Sequence, residues 1–178
     1  MRAIYTVALT NAPGYVSFSN ELTMATGGMY VSKDVKAFMD YAEAFEKGFA
    51  ADDWKLVDHL FAKDIVWSLA GPPPPFSYFA LGREKVSAAI KESVDSFDRR
   101  FDRRLPAVTE GPVAFPGGAY LKWCVTYTRE GLPAFKLLGE EWDLFHDGKM
   151  TMHHEVIHNT AELLKFLSQH DEQLLPAR

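Results

Sequence analysis

The sequence predicts an α+β fold in which a curved antiparallel sheet packs against three N-terminal helices. Three observations predict it. Apolar residues recur at helical spacing in three successive segments between residues 32 and 104, alternate with period two from 108 to 157, and return to helical spacing once more after that. At 178 residues the chain fits one ordinary domain, and its 47% hydrophobic and 13% aromatic content supplies a sizeable core, which excludes wholesale disorder.

The elements follow in chain order. Only Arg2 and Glu21 are charged in residues 1–32, so that stretch reads as an N-terminal extension or arm and 33–178 as the single domain. The arm carries β-formers in Ile4-Tyr5-Thr6-Val7 and Tyr15-Val16-Ser17-Phe18. Arg2 followed by Ala3 to Leu9 is a poor match to a signal peptide, and Met24 or Met29 is an alternative start. From Ser32, an N-cap candidate, Phe38, Tyr41, Ala42, Phe45 and Phe49 define an amphipathic helix. Asp52 or Asp53 caps a shorter one, in which Trp54, Val57, Leu60 and Phe61 share a face. Asp64 to Leu69 reads as a strand, and prolines 72 to 75 with Phe76, Tyr78 and Phe79 as a stiff aromatic loop.

Arg83 to Arg104 reads as the third helix, with Val86, Ile90, Val94, Phe97 and Phe101 on one face and a solvated, ion-paired Asp-Arg-Arg-Phe-Asp-Arg-Arg end. Strands are predicted at Val108 to Glu110, Val113 to Phe115, Tyr120 to Thr128, Ala134 to Phe145 and Met150 to Ile157, the last two joined by an Asp147-Gly148 hairpin. Asn159, with Glu162 three residues on, caps the final helix.

Charge and cysteine content narrow the function. With 19 Lys+Arg against 24 Asp+Glu, the net charge of −5 argues against nucleic acid or an anionic membrane as partner. No apolar run is long enough for a membrane-spanning helix. The one cysteine, Cys124, forms no internal disulfide and no Cys-based metal motif, which suits a cytoplasmic setting.

Phe61-Ala62-Lys63-Asp64-Ile65-Val66-Trp67, Gly71-Pro72, Gly82-Arg83-Glu84-Lys85-Val86, the hairpin Phe145 to Met150 and Thr160-Ala161-Glu162-Leu163-Leu164 together resemble the nuclear-transport-factor-2-like superfamily, in particular its SnoaL-like branch. The resemblance implies a cone-shaped, cystatin-like domain with a pocket between the sheet's concave face and the first and third helices. It also implies a homodimer through the outer sheet face, where Trp142, Leu144, Met152 and Val156 would otherwise be exposed. The superfamily spans isomerases, cyclases, dehydratases, epoxide hydrolases and members without catalysis, so site residues must carry the function.

Alternation along the strands turns Trp123 and Tyr127 inward, beside Trp67. Counting from the Asp147-Gly148 turn, as in ketosteroid isomerases, puts His153 and Glu155 inside, with Glu141 and Asp143 on the same side of the preceding strand; a bulge at Gly139 would substitute Glu140. Glu141, His153 and Glu155 are thus the candidate catalytic residues, and Tyr41, Phe45, Trp67, Trp123, Tyr127 and Asp143 the candidate ligand contacts. Leu69 falls where those isomerases carry their proton-abstracting aspartate, and Phe45 where they carry a helix-one tyrosine. Tyr41, one turn earlier, either supplies that hydroxyl or is plain core. His154-Glu155-Val156-Ile157-His158 matches H-E-x-x-H, but on a strand the two histidines lie about 13 Å apart and cannot share a metal. The resulting expectation is a cofactor-independent acid/base enzyme of cyclase, dehydratase or isomerase type acting on a small apolar or aromatic molecule. The alternative is a non-catalytic ligand-binding or dimerisation module. No metal or cofactor is expected in either.

Overall fold

The computed structural model describes residues 9–12, 15–18, 32–72 and 76–176. In the arm, β1 (Leu9–Ala12) and β2 (Tyr15–Phe18) pair antiparallel; the Ile4 to Val7 stretch, the alternative starts at Met24 and Met29, and prolines 73 to 75 lie outside the described residues. The domain then runs α1 (Lys33–Ala51), α2 (Lys55–Asp58), β3 (Phe61–Ala70), β4 (Tyr78–Leu81), α3 (Arg83–Ser96), β5 (Arg103–Phe115), β6 (Gly118–Thr128), β7 (Phe135–His146), β8 (Lys149–Ile157) and α4 (Thr160–His170).

Local chemistry explains most of the boundaries. Ser32 Oγ accepts the Val35 amide at 3.1 Å and so opens α1. Asp52 closes α1 in the left-handed region (φ 54°), and Asp53 Oδ1 accepts the Lys55 amide at the start of α2. Asp147 and Gly148 both have positive φ, 48° and 71°, the backbone a tight two-residue hairpin requires. Along the helices, Phe38 and Tyr41 of α1, Val86, Ile90 and Val94 of α3, and Leu163 and Phe166 of α4 turn inward onto Ile65, Trp67, Leu121 and Tyr127 of the sheet. Each such side chain, fully buried, contributes about 1.5–3 kcal/mol.

The six-stranded sheet has the order β4-β3-β8-β7-β6-β5 and is mixed, not antiparallel throughout. β5 to β8 form an antiparallel meander that starts at the far edge, and after three reversals β8 arrives against β3 running parallel to it. Period-two patterning identifies strands but carries no information on which strands pair, so the parallel joint was invisible to it. β8 therefore fills a central slot, between β3 and β7.

Three further boundaries differ from expectation. The third helix ends at Ser96, not Arg104. Phe97 leaves helical geometry, a 3-10 turn follows at Asp98–Arg100, and β5 begins at Arg103. Phe97 and Phe101 keep a four-residue spacing but are buried from the turn, against Tyr127 at 5.1 and 4.7 Å, so they imitate helical periodicity. The expected loop after the prolines contains β4, paired antiparallel with β3. Asn159 stands at the start of α4, but its side chain holds β7 instead, accepting from the Leu138 amide and donating to the Lys136 carbonyl.

Candidate functional site

β3, β8 and β7 bring the candidate residues into two adjacent rows. Trp67, His153 and Asp143 are register partners across the three strands, and Leu69, Glu155 and Glu141 form the next row, with Leu121 of β6 beyond Glu141. The β6–β7 ladder is continuous through Gly139, so no bulge inserts Glu140. Glu140 lies on the outer face, bonded to Tyr120 and 3.1 Å from His158. Gly139 serves a different purpose: a Cβ there would come within 2.3 Å of the Trp123 indole, which crosses β7 at that point.

The inward faces of the sheet, α1 and α3 enclose a cavity of about 200 Å³. Tyr41, Phe45, Trp67, Trp123, Tyr127, Glu141, His153 and Glu155 all line it, within a largely apolar wall. Asp143 does not line it. Fully buried behind His153, Asp143 Oδ1 is 2.6 Å from His153 Nδ1. On the other side of the ring, His153 Nε2 is 3.3 Å from Glu155 Oε2, and the Tyr41 hydroxyl is a long 3.5 Å away. Trp67 is more than wall: its indole N–H donates to Glu155 Oε2 at 3.0 Å while its ring stacks on Tyr78. Leu69 is apolar and buried, so the acceptor nearest that position is its register partner Glu155.

Burial and mutual charge set the protons. Burial, then the charges of Asp143 and Glu155, push the Glu141 carboxyl well above its ordinary range. A protonated Glu141 also gives Asp143 Oδ2 the donor it otherwise lacks. Asp143 itself is raised by burial, against the pull of His153. Burial disfavours a charged His153, yet Glu155 and Asp143 outweigh it and hold the imidazole well above its usual value. Burial likewise opposes ionisation of Glu155, but His153, the Trp67 hydrogen bond and Arg104 keep it below the usual range. Burial, then Glu155, Glu141 and Asp143, keep Tyr41 a neutral phenol. These shifts favour a protonated Glu141, a charged His153 and an ionised Glu155 on one largely apolar wall. Glu141, His153 and Glu155 have ligand atoms within 4.8 Å of one another, a spacing that also suits a metal ion, whose binding would displace protons from the imidazole and the Glu141 carboxyl.

This protonation pattern has a stability signature. Glu141 and His153 have raised folded values, so the folded chain binds more protons than the unfolded one above the ordinary 4.5 and 6.5, and stability declines as pH rises through that range. Glu155, held low, works the other way and loses its contribution only as pH falls below 4.5. Thermal melts of wild type and Glu141→Gln at pH 5 and pH 8 check this. Their Tm difference should move in the variant's favour by about 5 °C over that interval, whereas a constant difference would show that the carboxyl titrates normally.

A second polar cluster at the other end of the cavity was not foreseen. Arg104 Nε is 2.8 Å from Asp98, Arg104 Nη1 is 2.6 Å from Glu46, and the Tyr127 hydroxyl donates to Asp98 at 2.9 Å. The guanidinium also lies 5.5 and 5.1 Å from the ring centres of Phe45 and Phe49. Reading residues 98–104 as a helix end placed Arg104 in solvent; as the second residue of β5, opposite Tyr127, it points inward. The outer sheet face carries the histidines of the H-E-x-x-H match apart from each other. His154 bonds Ser68 at 2.7 Å and His158 meets Glu140.

By sequence, no family model and no curated protein matches the chain. Its fold does match solved structures. An NTF2-like protein from Burkholderia pseudomallei superposes with a TM-score of 0.60 at 17% identity, covering 78% of this chain and 99% of its own. A Rhodopseudomonas palustris protein named as an isomerase gives 0.60 at 17%, covering 75% and 96%. A Jannaschia protein named as a SnoaL-like polyketide cyclase gives 0.60 at 12%, covering 79% and 98%. Among the described residues no helix is long and apolar enough to cross a membrane. Likenesses at this identity establish architecture alone, and the architecture they establish for this chain is the NTF2-like fold, a curved sheet over helices.

Proposed function

We propose that the chain is a SnoaL-like, cofactor-independent acid/base enzyme of cyclase, dehydratase or isomerase type, acting on a small apolar or aromatic molecule in the cavity. One observation carries this reading: Glu141, His153 and Glu155 stand together in a largely apolar cavity, where burial and mutual charge push the two carboxyls in opposite directions. An acid beside an ionised acceptor is the equipment for moving a proton between carbon and oxygen without a cofactor. Glu141 and His153 carry the mobile protons, and Glu155, oriented by Trp67 and His153, accepts. Asp143 holds the His153 ring and fixes Nδ1–H as the inner donor, leaving Nε2 toward Glu155 and the cavity. Tyr41 adds a neutral hydroxyl, and Trp123 and Phe45 are flat walls for a flat substrate.

Solvent exchange tests the reading without knowledge of the natural substrate. A panel of cyclic ketones and hydroxylated aromatic alcohols in D₂O, followed by NMR, should show enzyme-dependent deuterium uptake at carbon or loss of water for at least one member. A panel that binds but never exchanges or dehydrates would favour a ligand-binding module instead.

The same reading includes a homodimer through the outer sheet face. Trp142, Leu144, Met152 and Val156 are only half-buried there, and Phe79 and Leu81 of the neighbouring edge strand are 75% and 55% exposed. Light scattering at micromolar concentration should return twice the chain mass, and a monomeric mass would defeat the dimer.

A further inference from the structure

The two polar clusters share a design. Arg104 and His153 are the cationic side chains among the described residues lining the cavity, and each is held between two carboxyl groups: Arg104 by Glu46 and Asp98, His153 by Asp143 and Glu155. Glu141 adds a further carboxyl. Neither cation is left over to meet a ligand charge. The wall between the clusters is aromatic and aliphatic, with Phe45, Trp67, Phe97 and Trp123 presenting ring surface. Ring faces are electron-rich and attract cations, so they add to the bias of the carboxylates.

Distance sets a second constraint. Glu141 faces Leu121 and Arg104 faces Tyr127 in the β5–β6–β7 register, six residues apart along β6. At roughly 3.3 Å per residue their backbone levels are about 20 Å apart along the strand.

Resting on the reading that this cavity is the ligand site, we infer that its ligand is a neutral or cationic, flat and elongated molecule with a hydrogen-bond donor facing the carboxylates, and that carboxylate-, sulfate- or phosphate-bearing molecules are excluded. A hydroxyl or ammonium there meets carboxyl oxygens that can accept. An anionic group there meets like charge in a dry cavity, with both cations already neutralised, and has no way to recover its lost hydration.

Calorimetric titration of the wild-type chain at pH 7 with three naphthalenes of similar size decides it: 2,6-dihydroxynaphthalene, 2-naphthylmethylammonium and 2-naphthoate. The diol and the ammonium should each bind at least about tenfold more tightly than the carboxylate. Glu155→Gln should narrow the gap between ammonium and carboxylate, because it removes one of the facing charges. Naphthoate binding as tightly as the other two, or an unchanged gap in Glu155→Gln, would overturn the charge selection while leaving the cavity a ligand site. Failure of all three to bind would overturn the cavity reading itself, and this inference with it.

Discussion

Glu141→Gln is expected to lower the rate of proton transfer by about 10²- to 10⁴-fold. Glutamine preserves the shape of the side chain and can still donate a hydrogen bond toward Asp143, so fold and ligand affinity should change little. What it removes is a proton that can leave. The loss should therefore fall on kcat, with KM nearly unchanged, and the limb of the pH–rate profile that reports the raised carboxyl should vanish with it. Rate and affinity falling together would instead assign Glu141 to binding. Unchanged turnover would remove it from the chemistry altogether.

The largest stability effect is expected at Arg104. Arg104→Ala leaves Glu46 and Asp98 facing each other beneath Phe45 with no counter-charge, the situation in which breaking a buried ion pair costs about 3–5 kcal/mol. For a chain of this length that corresponds to a fall of roughly 10 °C in Tm. Arg104→Lys keeps the charge but cannot reach both carboxylates with a planar fork, and should lie between the two. A loss below about 1 kcal/mol in Arg104→Ala would mean that solvent reaches the cluster and screens it.

The contrast between these two residues shows what the chain reveals about itself. Glu141 was within reach through the family resemblance, because an unbroken count from the Asp147-Gly148 turn pairs Glu140 with Glu155, and it is a register shift between Leu144 and Phe145 that sets Glu141 and Asp143 opposite Glu155 and His153. The choice between Glu141 and Glu140 rests on that shift and on the unbroken β6–β7 ladder, neither of which has a local signature. Arg104 was out of reach because Phe97 and Phe101 mimic a helical repeat and Arg103 and Arg104 look alike in sequence. Only the start of β5 decides that Arg103 faces water and Arg104 the cavity. Pro106, which cannot sit inside a helix, was the available hint that the helix had already ended. β4 was hidden for a related reason: four residues beside a proline run carry too little alternation to register. Asp143 was placed on the correct face, but its withdrawal behind His153 depends on how deep the β7–β8 pair sits, which periodicity does not encode.

The central position of β8 governs how the protein comes into being. During synthesis β3 and β7 are both made before the strand that separates them, so each presents an unpaired edge until residue 157 has been added. His153 and Glu155 arrive on that last strand, and Trp67 waits 86 residues for its partner. The cluster of Glu141, His153 and Glu155 is consequently incomplete in any chain that stops at β7, which leaves β3 and β7 with unpaired edges. Completion of the sheet and assembly of the cluster are a single event, so an exposed strand edge on this chain marks a cluster that has not yet formed.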